Sequence, residues 1–184
     1  MSTYGLLMAV PAFALLVWAA VTDLHSRRIP NWLTFSLVLG GLAQAIAFGA
    51  LSTPLGSMLG LCVGFIIPFV LFALGALGGG DVKLLAGVGA WFGPQAALNV
   101  FVIAALVGAV MVIAQALAQK RGKVLIRNTA VLAVNLAHVR DVGLEHAKAT
   151  GQSCRSVDRP LPYAVPVLIA MAFLLASTWA PWRS

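Results

Sequence analysis

The chain has 184 residues, 61% of them hydrophobic and only 9% charged, with a mean hydropathy of +0.97. A soluble domain carries about 25% charged residues, so the composition excludes an ordinary soluble enzyme and leaves room for one polytopic membrane domain over residues 1–184. The net charge of +7 does not indicate nucleic acid, because the basic residues sit between apolar runs, where they set topology instead.

The first apolar run predicts a span over residues 4–22, near the roughly 20 residues a crossing needs, and it lacks the basic start of a cleaved signal peptide. Asp23 stands at its end, followed by His25, Arg27, Arg28, Ile29, Pro30 and Asn31. Pro30 disfavours helix at the residue before it, so a turn is expected there. A second span is expected over 32–50 and a third over 55–77, divided by a turn at Ser52, Thr53 and Pro54. Then come Gly78, Gly79, Gly80, Asp81, Val82 and Lys83. Three glycines admit close backbone approach, and an acid between long uncharged runs is a functional-site hypothesis by default.

Residues 84–119 carry no charge but are too many for one crossing. Gly93, Pro94 and Gln95 divide them into a short fourth helix, 82–92, and a fifth, 97–118. Eleven helical residues rise only ~16 Å, about half the hydrocarbon thickness, so the glycine segment is expected to dip into the membrane and carry Asp81 with it. Residues 119–160 form a polar loop with an interfacial amphipathic helix expected over 124–147. A last span is expected over 161–182. The fold class is therefore all-α, with about six transmembrane helices.

Eleven of the twelve basic residues fall at the ends of helices one, three and five, and only Arg183 falls opposite. The positive-inside rule makes that side cytoplasmic and puts both termini outside. Asp23 and Asp81 then face the same side. Two carboxylates held together cannot both ionise easily. One can take a proton from water while the other donates to a carbonyl oxygen. Ionisable groups in a membrane also mark ion pathways, so a small transporter or proton relay competes with this reading, as does a non-catalytic scaffold of a larger membrane assembly. Asp81 paired with Lys83 or Arg27 would be structural. No His, Cys, Asp or Glu pattern of metal-ligand spacing is present, and neither metal nor cofactor is expected.

Asp23 with Arg27, Arg28, Ile29, Pro30 and Asn31, together with Gly78-x-Gly80-Asp81-x-Lys83 after a long apolar span, resembles the type IV prepilin peptidase family, polytopic aspartic proteases with a G-x-G-D motif. The likeness covers roughly residues 1–118, and Tyr163 after Pro162 is similar to the start of the family's final helix. The size resembles the short branch serving Flp-type (tight-adherence) pili. The resemblance implies an inner-membrane endopeptidase that removes the short basic leader from prepilin or pseudopilin precursors on the cytoplasmic side. Its partners are those precursors, the lipid bilayer and other pilus-assembly components, with no nucleic acid. Asp23 and Asp81 would be the catalytic pair, with Gly78, Gly80 and Lys83 in the loop presenting Asp81, and Arg27, Arg28 and Asn31 facing substrate or lipid. Longer members carry paired cysteines and also N-methylate the product. This chain has no CxxC pair, so the methyltransferase activity is not expected.

Overall fold

Each apolar run becomes a helix in the computed structural model, which describes residues 3–49, 51–74, 77–119 and 162–179. The helices are α1 (Thr3–Ser26), α2 (Asn31–Ala47), α3 (Pro54–Ala73), α4 (Gly79–Ala118) and α5 (Ala164–Trp179). The polar loop expected at 119–160, with its amphipathic helix, His138, His146 and Cys154, lies outside the described residues apart from Gln119, and so does Arg183.

Local chemistry sets the boundaries, and it moves several of them. α1 runs past the expected end at residue 22, because Thr22 and Ser26 turn their hydroxyls back onto the helix's own carbonyls and hydropathy marks only its apolar part. The left-handed Arg27 (φ 51) then ends it. α2 stops earlier than expected, at a left-handed Gly49 (φ 57) whose N–H returns to the Gln44 carbonyl, a common helix C-terminal motif. α3 starts on Thr53, whose side chain accepts the Gly56 N–H at 3.0 Å, and on Pro54 in the first turn, where its missing N–H costs nothing.

α4 differs most from expectation. It begins at Gly79, with Gly78 extended (φ −83, ψ 148), so Gly79, Gly80, Asp81 and Lys83 are helical and, among the described residues, the acid sits on the first turn of a helix and not on a glycine loop. The break expected near Gly93 is present: Gly93 adopts φ 84, ψ 177 inside α4, a conformation open essentially only to glycine. The chain reverses there. A straight helix would hold Asp81 and Gly108 about 40 Å apart. Yet a Cβ on Gly108 would lie 3.9 Å from the Tyr163 ring, and the Asp81 charge also acts on Tyr163. Pro94 has no N–H for the Ala90 carbonyl, and Ser57 of α3 donates its hydroxyl to that oxygen instead. Gln44 of α2 serves the next carbonyl, that of Trp91, at 3.2 Å.

The arm of α4 before Gly93 is the centre of the packing. α3 meets it backbone to backbone at Gly60 and Gly89, the small-residue contact by which helices approach closely in lipid. Trp91 donates its indole N–H to the Leu37 carbonyl of α2 at 2.6 Å. Leu16, Leu37, Leu85, Val88, Val100 and Met171 join all but α3 in one buried cluster. The outer faces are apolar: Leu7, Phe35, Ile46, Leu55, Leu106 and Val110 are each more than half exposed. Among the described residues three helices are long and apolar enough to cross a membrane, Leu7–Ser26, Pro54–Ala73 and Gly79–Ala118, while Asn31–Ala47 and Ala164–Ser177 are shorter apolar helices.

Candidate active site

Asp23 lies on the last turns of α1, not beyond them, and is 7% exposed. A buried carboxylate needs hydrogen-bond partners. One of its oxygens, Oδ2, accepts the backbone N–H of Ala164, the first residue of α5, at 3.0 Å. The helix ends one turn later through the Arg27 N–H, which donates to the Asp23 carbonyl at 2.9 Å. The turn that follows is short. Pro30 (φ −60, ψ 135) leads directly into α2, and Ile29 packs where a Cβ of Gly80 would lie, 3.4 Å away. The α1–α2 turn therefore sits on the N-terminus of α4, and this brings the two acids to one place.

Asp81 occupies the third position of α4. Its Oδ2 accepts the Gly78 N–H at 3.2 Å, half of the reciprocal cap that helix N-termini favour, and the acid complements the positive end of the helix dipole. This bond explains why the helix starts ahead of the acid. Asp81 is half-buried, and the Asp23 charge acts on it. The two acids thus lie near enough for the charge of one to act on the other, although they come from different helices.

The other expected residues divide. Lys83 does not pair with Asp81; its ammonium donates to the Asn31 side-chain oxygen at 3.0 Å, tying α4 to the start of α2. Both line a cleft of about 490 Å³ between α2 and α3, with Thr34 and apolar side chains such as Trp32, Phe35, Leu61 and Phe65 forming the rest of its wall. Arg27 and Arg28 are exposed at the turn and, among the described residues, neither is bonded to an acid. Gly78 contacts the acid directly: a Cβ there would fall 2.9 Å from Asp81 Oδ2. The nearest atoms to a Cβ on Gly80 belong to Ile29. Among the described residues no three metal-ligating side chains gather.

Sequence reasoning missed α5 as a wall of this site. Tyr163, at its head, is half-buried and packs against the buried cluster. The signal available was the pair Pro162 and Pro166 around it, which marks a helix start but says nothing of what the freed N–H groups face.

The family model described as the type IV leader peptidase family matches residues 10–113, a stretch that holds both acids and the glycines. The chain belongs to the type IV leader peptidase family. Among curated relatives, the prepilin leader peptidase/N-methyltransferase of Bacillus subtilis (strain 168) is 36% identical over 103 residues, which is 55% of this chain and 41% of that protein. The protein of the same name from Aeromonas salmonicida (strain A449) is 34% identical over 129 residues, 64% of this chain and 41% of the relative. The type 4 prepilin-like proteins leader peptide-processing enzyme of Escherichia coli O78:H11 is 35% identical over 102 residues, 52% and 38% of the two chains. The matched stretches thus cover about two fifths of these relatives' lengths. No solved structure matches.

Proposed function

We propose that this family member is an aspartic endopeptidase that removes the leader from prepilin precursors, with Asp23 and Asp81 as its paired acids. What supports the reading is that the Asp23 charge acts on Asp81, with each carboxylate held by a backbone N–H at a helix N-terminus. One carboxylate takes a proton from water as the water oxygen attacks the scissile carbonyl carbon. The other donates its proton to the carbonyl oxygen, and collapse of the tetrahedral adduct expels the amine with a proton returned by the pair. Titration belongs to the pair and not to either acid.

The reading extends to topology and substrate. About six membrane helices are formed by α1, α2, α3, the two arms of α4, the first of them short, and α5, in the inner membrane, with residues 24–31, 78–83 and 119–160 cytoplasmic and both termini outside. The one-sided distribution of basic residues supports this. The substrates are Flp-type prepilins or pseudopilins, met within a pilus-assembly system. The test is incubation of the purified chain in detergent with a purified prepilin, followed by mass measurement of both fragments. Cleavage at the leader junction is expected; a folded preparation that leaves every Flp-type and type IV precursor intact would remove the assignment.

A further inference from the structure

The family match ends at residue 113, yet a group outside it reaches the site. The Ala164 N–H donates to Asp23 Oδ2 from 141 positions away in sequence, in a buried bond. Ala164 opens α5, and the Val167 N–H already returns to the Tyr163 carbonyl. Pro166 has no N–H, so this first turn offers only the N–H groups of residues 164 and 165. The residue before the helix is Tyr163, which is not among the side chains that cap helices. Asp23 of α1 does that work from another element.

The consequence for Asp23 is orientation. A carboxylate turns freely about its last torsion, which is broad and two-fold, and burial alone does not fix its plane. One short bond from a backbone that cannot move independently of a whole helix does fix it. Tyr163 braces the same turn, its ring lying over Gly108 on the far arm of α4 and packed against the buried cluster. We propose that the Tyr163–Ala164 turn at the head of α5 is a positioning element of the active site, in which the Ala164 N–H sets the orientation of the Asp23 carboxylate. α5 is then part of the catalytic apparatus, beyond its role as a helix of the bundle. This rests on the reading of Asp23 as a catalytic acid.

Substitution by proline at residue 164 deletes the donor, and because the proline Cδ takes the place of the hydrogen aimed at Asp23 Oδ2, the hydrogen-exchange comparison below separates loss of the bond from crowding of the carboxylate. Ala164→Pro removes the N–H at the helix position where proline is best tolerated, and Ala164→Gly keeps it. Ala164→Pro is expected to lower kcat for precursor cleavage by about ten- to hundredfold per folded molecule, with KM changed by no more than about twofold. Ala164→Gly is expected to keep most of the wild-type rate. A merely structural bond would reduce folded yield and leave kcat of the folded fraction alone, so wild-type kcat in folded Ala164→Pro overturns the proposal. A second measurement needs neither activity nor that variant: amide hydrogen exchange over residues 162–168 in detergent, comparing Asp23→Ala with Asp23→Asn. Asparagine keeps an acceptor oxygen and alanine does not. Exchange at Ala164 should rise at least about tenfold in Asp23→Ala and much less in Asp23→Asn. Equal protection in wild type and Asp23→Ala overturns the positioning role whether or not the chain cleaves prepilin.

Discussion

Gly78 touches Asp81 twice: its N–H donates to Oδ2 at 3.2 Å, and a Cβ placed on it would lie 2.9 Å from the same oxygen. The first contact holds the carboxylate at the head of α4, and the second means that any side chain larger than hydrogen displaces that oxygen. The requirement for glycine is steric here, since φ −83 suits any residue.

Gly78→Ala should therefore push the Asp81 carboxylate aside. A displacement of ~1 Å costs on the order of a hundredfold in rate, at near-normal stability, since a side-chain end and not backbone must give way. In Gly79→Ala and Gly80→Ala the new Cβ has Phe72 and Ile29, respectively, as its nearest neighbour, each at 3.4 Å and a side chain. Both should fold well and retain most activity. Turnover per folded molecule for the three alanine variants checks this; a Gly80→Ala variant more impaired than Gly78→Ala would contradict it.

Gly93 is a different kind of requirement. Its φ 84, ψ 177 lies in a region that costs another residue of order 1–3 kcal/mol, and it marks the reversal that returns α4 to the site. Gly93→Ala should lower the detergent melting temperature by several degrees. Ser57→Ala should lower it too, because the Ala90 carbonyl is left buried without a partner, at ~1–3 kcal/mol. A melting temperature unchanged by either substitution would show that the reversal does not depend on these contacts.

Much of this was legible in the chain. Gly93 with Pro94 announced the break, because one removes the steric bar to reversal and the other removes a donor. Asp23 and Asp81 stood out because they interrupt apolar runs. What the sequence could not carry was the length of α1 and α4 around those acids: hydropathy ends where polarity begins, while Ser26 and Asp81 extend the helices by bonding their own backbone. The distinction between Gly78 and Gly80 was hidden for the same reason, since it depends on helix phase at the third position. The Ala164 donor is a backbone group and leaves no residue signature.

Lys83 and Asn31 give a prediction in the negative direction. Their bond, 3.0 Å long and exposed, is expected to contribute under about 1 kcal/mol, and neither atom is bonded to an acid. Lys83→Met should keep cleavage within about threefold of wild type, and a double-mutant cycle with Asn31→Leu should show a small coupling in stability. A hundredfold loss of kcat in Lys83→Met would place the ammonium in the chemistry.

The central claim is that Asp23 and Asp81 act as one unit, and it is tested most directly by prepilin cleavage in Asp23→Asn, Asp81→Asn and the double variant, at matched levels of folded, membrane-inserted protein. Asparagine keeps the shape and an acceptor for the Gly78 and Ala164 N–H groups but cannot pass a proton. Each single variant should lose cleavage by at least about a thousandfold, and the double variant should be little worse than either, because groups that act together are not additive. Substantial cleavage by either single variant, or losses that multiply in the double, would contradict the paired-acid account.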